Sequence, residues 1–180
     1  MPKIYVMALI KILEKHEATD KVAEIYGIME SQWGMIPEAF SLFSTSPELL
    51  TAQFNNLNMY MRHPSISGKL LAFIRLVVSE IEECKYCVGM NSGILMQYGV
   101  LPEQSAEAKS DPSKAPLDEK EKAMLLFVVK VVKNSNTIEA ADVDSLRGLG
   151  WTDREILEAA YHGVTGAAAD KLFNAFKINI

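Results

Sequence analysis

Cysteine is nearly absent from this chain, with two in 180 residues. That count excludes a disulfide-stapled scaffold, and a chain of this length buries a core large enough to fold without staples. Long hydrophobic runs are missing too. No stretch approaches the roughly 18 uninterrupted apolar residues of a membrane-spanning helix, so a soluble protein without membrane contact is expected. An apolar run from Ile4 to Ile10 is interrupted by Lys11, and no small-residue cleavage site follows, which points to a cytoplasmic address. Excess positive charge is also lacking: 18 basic residues stand against 23 acidic ones, a net charge of −5. Nucleic acid is therefore not an expected partner.

Strand-type alternation is scarce, and helical periodicity takes its place. Val22, Ile25, Tyr26, Met29 and Trp33 recur at helical spacing, as do Met124, Phe127, Val128 and Val131. The valine-rich stretches "FIRLVV" and "LLFVVKVV" sit inside longer runs of helix formers and read as helix. Ser46 before Pro47 predicts an N-cap with proline at the first helical position. Thr152 and Glu155 have capping-box spacing. These signals place helices near 19–33, 38–44, 47–61, 67–82, 85–98, 103–108, 117–134, 139–147 and 153–176. The fold class is all-α, a helical bundle. One domain is expected over 1–180, with N-terminal helices in 1–62, a thiol-bearing core in 63–110 and C-terminal helices in 117–180. The polar loop 108–116 is too short to divide it, and no internal repeat is present.

Both cysteines fall in "SEIEECKYCVGMNSG", residues 79–93, as Cys84 and Cys87. On a helix their Cβ atoms lie about 5–6 Å apart, slightly beyond the disulfide optimum, and a small adjustment of the first turn closes the gap. Three readings compete. The pair can be a redox dithiol, half of a metal site, or two buried core residues. The metal reading lacks partner ligands: His16, His63 and His162 are isolated in sequence, so no metal and no cofactor are expected. The core reading is opposed by the neighbouring "EIEE", Lys85 and Tyr86, which suggest a helix boundary near solvent.

Thiol chemistry requires thiolate, and an unperturbed cysteine is only about 3% ionised at pH 7. A helix N-terminus supplies roughly 0.3–1 kcal/mol of the needed stabilisation, less than half ionisation demands. Glu80, Glu82 and Glu83 oppose a thiolate as fixed anions and assist only as proton acceptors. On a continuous helix Glu80, Cys84, Cys87 and Asn91 form one stripe, which makes Glu80 the candidate base. Its competing reading is a solvated acidic turn.

The thiol segment resembles the motif of the carboxymuconolactone decarboxylase superfamily, in its alkylhydroperoxidase D-like, peroxidase-related branch. "GMIPEAFSLFSTSPELL" and "LRGLGWTDREILEAAYHGVTGAAADKLFNAF" resemble the flanking segments, so the likeness runs over about residues 20–176. It implies an all-α fold assembled as a homo-oligomer, a trimer or hexamer, through helix faces. It also implies that Cys87 attacks a hydroperoxide and Cys84 resolves the sulfenic acid as a disulfide. The family's relay glutamate and histidine do not carry over: Ala72 and Asn91 stand in their places. Asn91 can position a substrate by hydrogen bonding but cannot transfer a proton. Such relays supply about 10²–10⁴-fold in rate, so slow turnover is expected.

His63, beside the turn "RHPSISG", is a second candidate substrate-binding residue, with a structural role as the competing reading. His162, in the small-residue stretch "HGVTGAAAD", reads as a core or interface residue. Three functions follow. The first is an antioxidant thiol peroxidase or disulfide exchanger, acting on a small hydroperoxide or with a dithiol protein reductant. The second is a lyase of the decarboxylase branch, and the third a non-enzymatic oligomeric redox sensor.

Overall fold

The computed structural model describes residues 8–178, so the start of the apolar run at Ile4 lies outside the described residues. Among the described residues there are nine α-helices and no strand. They are α1 (Asp20–Trp33), α2 (Glu38–Ser41), α3 (Pro47–Met61), α4 (Gly68–Ile81), α5 (Lys85–Gln97), α6 (Pro102–Ser110), α7 (Glu119–Asn134), α8 (Ala140–Gly148) and α9 (Asp153–Phe176). The all-α expectation holds. No described helix is long and apolar enough to cross a membrane.

Local chemistry sets the helix ends. The Ser46 hydroxyl accepts from the Leu49 amide ahead of Pro47, and Thr152 and Glu155 form the reciprocal box that their spacing predicts. α7 starts two residues later than expected because Asp118 caps it, accepting from the Glu121 amide at 2.8 Å. α6 runs on to Ser110, into the expected loop, and stops at Asp111, where Pro112 bars continuation.

Two compact units divide the chain. Among the described residues, the first comprises 8–62 and 173–178. Val22, Ile25, Tyr26 and Met29 of α1 are buried there, as are Leu50 and Phe54 of α3. Phe43 meets Phe173 edge-on, with ring centres 6.1 Å apart.

The second unit, residues 63–172, contains the thiols. Its centre is α4, where Leu70–Ile74 and Leu76–Ser79 are all buried. A helix enclosed on every side is apolar all round, which explains why "FIRLVV" lacks a polar face. Arg75 is the one charge in the middle of this helix. α9 approaches α7 and α4 through Gly163: a Cβ there would overlap the Val128 side chain and touch Ile74 and Val132. That close approach carries His162 and Asp170 of α9 into the interior of the unit.

Candidate active site

Helix α4 ends at Ile81, and the chain turns through Glu83, whose φ of 57° lies in the left-handed region. The Cys84 amide donates back to the Ser79 carbonyl at 2.9 Å. α5 then starts with Cys84 as its N-cap and Cys87 in its first turn. N-cap and N3 positions face the same way, so both side chains turn inward while Glu83 and Lys85 face solvent.

The thiols are therefore not near solvent as their neighbours suggest: Cys84 is 1% exposed and Cys87 3%. The polar residues that imply a wet boundary alternate outward around two inward sulfurs. Both cysteines are free. Their Sγ atoms and a carboxylate oxygen of Asp170 all lie within 4.8 Å of one another.

The sulfurs share a hydrogen bond that treats them unequally. The Cys87 thiol donates toward Cys84 and, with the Cys87 amide, draws the Cys84 pKa down, although no short cap hydrogen bond to the Cys84 side chain closes. The same bond, burial and the nearby Asp170 charge push Cys87 strongly up. In the resting dithiol the first negative charge thus belongs on Cys84. This polarity is opposite to the order of attack that the family resemblance implies.

Asp170 is 3% exposed, and its Oδ2 makes no hydrogen bond. Burial raises its pKa, opposed by the two thiols and the Ser79 hydroxyl around it. Two sulfurs and one carboxylate can together hold a thiophilic cation with a fourth position open. The metal reading of the C-x-x-C thereby gains one donor from a distant helix. Sequence reasoning passed over Asp170. The available signal was its register: it follows Gly163 and Ala167 by seven and three residues on the buried face of α9, where an acidic residue is out of place.

Glu80 does not join this cluster. Its side chain is 47% exposed and pairs with Lys109 at 3.6 Å. The stripe linking Glu80 to the cysteines requires a continuous helix, and the left-handed turn at Glu83 interrupts it. The carboxylate gathered with the sulfurs is Asp170. His63 is engaged in its own turn: Nδ1 accepts from the Ile66 amide at 2.9 Å, and Nε2 lies 2.9 Å from Glu158 Oε2. With Nδ1 accepting, the ring proton resides on Nε2 and points to the carboxylate, an arrangement that closes the turn before α4.

Asn91 is buried directly behind the thiol turn. Its Nδ2 donates to the Cys87 carbonyl at 2.8 Å, and its Oδ1 accepts from Arg75 Nε at 2.8 Å. Arg75 Nη1 lies 3.1 Å from His162 Nε2. A guanidinium only donates, so this ring nitrogen accepts and His162 carries its proton on Nδ1. Burial and the Arg75 charge hold the His162 pKa at about 3, so the ring is neutral. The expectation of His162 as a core residue holds, but its neighbour Arg75 was missed, because one arginine in an apolar helix gives no spacing to detect.

No protein-family model matches the sequence, and no curated protein matches it closely. Solved structures do match. An uncharacterised peroxidase-related protein from Silicibacter sp. TM1040 superposes with a TM-score of 0.85 at 24% identity, covering 99% of this chain and 94% of that one. The alkylhydroperoxidase AhpD core of an uncharacterised peroxidase-related protein from Ralstonia eutropha JMP134 gives 0.86 at 21% identity, covering 97% and 93%. A cysteine-to-alanine variant of the debrominase Bmp8, in complex with 2,3,4-tribromopyrrole, gives 0.78 at 18% identity, covering 97% and 92%. The chain has the fold of the alkylhydroperoxidase D-like, peroxidase-related proteins.

Proposed function

We propose that the protein is a dithiol oxidoreductase in which Cys87 and Cys84 reduce a small hydroperoxide and are then re-reduced by a dithiol partner. The observation that carries this reading is the gathering of both sulfurs and one buried carboxylate within 4.8 Å. A thiolate attacks the outer peroxide oxygen, and the O–O bond breaks. The alkoxide leaves as alcohol with the proton of the second thiol. The second sulfur then attacks the sulfenic acid, forming the disulfide and releasing hydroxide, which takes up the proton lost at the first ionisation. Two electrons and two protons pass from the dithiol, and the products are alcohol and water.

The sulfurs' burial selects the substrate. Attack on a disulfide requires access along the S–S axis, which a protein-sized partner lacks at cysteines 1% and 3% exposed. A small molecule is therefore the oxidising substrate, and a protein reductant requires local opening at the α4–α5 turn. The debrominase among the fold neighbours supports a second reading with the same electron count. In it the dithiol supplies two electrons to a carbon–bromine bond: one thiol proton goes to carbon, bromide leaves with the other, and the same disulfide forms. The lyase alternative has no use for a dithiol.

Anaerobic treatment of the reduced protein with tert-butyl hydroperoxide, followed by mass measurement, tests the reading. The expected product has lost two hydrogens, with Cys84 and Cys87 in one disulfide-linked peptide. Sustained peroxide consumption with dithiothreitol should vanish in Cys87→Ser. Reversible disulfide formation without turnover would select the redox sensor instead.

A further inference from the structure

Arg75 is a half-buried cation with no carboxylate partner among the described residues. Its Nε and Nη1 bind Asn91 and His162, and both partners are neutral. No carboxylate lies within ion-pair distance of it among the described residues, and Nη2 makes no hydrogen bond there. Desolvation lowers its pKa to about 10 against the opposing pull of Tyr98 and Cys87, so the guanidinium remains charged at neutral pH. Removing a charge from water is costly unless an anion or a full set of hydrogen bonds compensates it. Here two neutral acceptors compensate in part, and one edge of the guanidinium fork is unused.

Its placement connects that edge to the thiols. Asn91 joins the guanidinium to the Cys87 carbonyl, so Arg75 and the first turn of α5 are held in register by two hydrogen bonds of 2.8 Å. Arg75 lies one helical turn after Ala72. Where the resemblance calls for a glutamate and a histidine that move protons, this chain has Ala72 and Asn91, which move none, and a fixed positive charge beside them.

We propose that Arg75, Asn91 and His162 form a binding site for the anionic group, of carboxylate type, of a small substrate whose electrophilic atom is presented to Cys87. The proposal rests on the dithiol reading above and names its substrate class. Asn91 fixes the guanidinium plane through Nε. His162, as a neutral acceptor, fixes Nη1 without contributing a charge that would compete for the anion. Nη2 and the remaining Asn91 N–H are the donors left for the ligand. A guanidinium suits this task because its planar fork matches a carboxylate.

The test compares two alkylating reagents of similar size at constant ionic strength, anionic iodoacetate and neutral iodoacetamide, in the reduced protein. In Arg75→Gln the ratio of iodoacetate to iodoacetamide rate should fall about tenfold, while Arg75→Lys retains part of it. An equal fall for both reagents would mean that Arg75 only stabilises the thiolate, and would overturn the anion site. A second measurement needs neither a variant nor an accessible thiol. Benzoate should raise the melting temperature of the wild-type protein where benzamide does not, and the absence of a benzoate-specific shift also overturns the proposal. If tert-butyl hydroperoxide forms no disulfide in the wild type but benzoate stabilises it and the reagent ratio falls in Arg75→Gln, the dithiol reading fails and the anion site stands.

Discussion

The carboxylate of Asp170 and the sulfur of Cys84, separated by 86 positions in the chain, lie within 4.8 Å of each other in the buried interior of the unit. An acid in this setting is destabilised as an anion by burial and by the nearby Glu82 charge, against hydrogen bonds from the two thiols and the Ser79 hydroxyl. Its folded-state pKa is raised, so its contribution to stability is fully present below the unfolded value and is lost as pH rises through the folded one. Asp170→Asn removes that dependence. We expect the variant to be more stable than wild type at neutral pH and to lose the advantage as pH falls toward the ordinary carboxylate range. Urea denaturation at neutral and at acidic pH measures it, and a variant weaker at neutral pH would show that the carboxylate is held by compensating contacts.

The unequal sulfurs lead to a trapping experiment. The hydrogen-bond polarity favours the first negative charge on Cys84, whereas the family resemblance assigns attack to Cys87. One proton shifting between two neighbouring sulfurs reverses the polarity, and then the charge of Arg75 lies on the side of Cys87. Under limiting hydroperoxide, Cys84→Ser is expected to accumulate a sulfenic acid on Cys87, detectable with a dimedone probe. Cys87→Ser should accumulate little on Cys84. The reverse pattern would make Cys84 the attacking thiol.

Most of the fold was legible because helix ends carry their own chemistry: Ser46 with Pro47, and Thr152 with Glu155, each mark a boundary found in the structure. The thiol pair was legible from its spacing. The residues around it were not, because they come from other helices. Asp170 and His162 reach the thiol unit only through the tertiary contact at Gly163, and sequence spacing encodes no such crossing. Glu80 illustrates the opposite failure. It is near Cys84 in sequence, but one left-handed residue, Glu83, redirects the chain between them.

Gly163 is therefore the point at which a small change should disturb both stability and site. A methyl added there meets the Val128 side chain of α7 and contacts Ile74 of α4. Overpacking of this kind typically costs about 1–3 kcal/mol, and α9 would shift outward to relieve it. Gly163→Ala should lower the denaturation midpoint and speed alkylation of the buried thiols, since the helix that carries Asp170 over them moves. Unchanged thiol reactivity together with lowered stability would show that Val128 yields instead of α9.

The second face of α9 is apolar as well. Leu157, Tyr161, Val164 and Leu172 are 69%, 52%, 47% and 41% exposed, and with Ala168 between them they form one stripe along the helix. A helix whose buried face already packs on α4 and α7 has no internal use for a second apolar face, and such a stripe is the seam along which helices associate. The occupant we propose is the same face of a second copy, in line with the homo-oligomer that the family resemblance of the sequence implies. Leu157→Glu with Val164→Glu places two charges at the centre of that seam without touching the buried face. The double variant should remain folded by circular dichroism and sediment as a monomer, while the wild type sediments as a larger species. Identical sedimentation of the two proteins would move the oligomer contact to another surface.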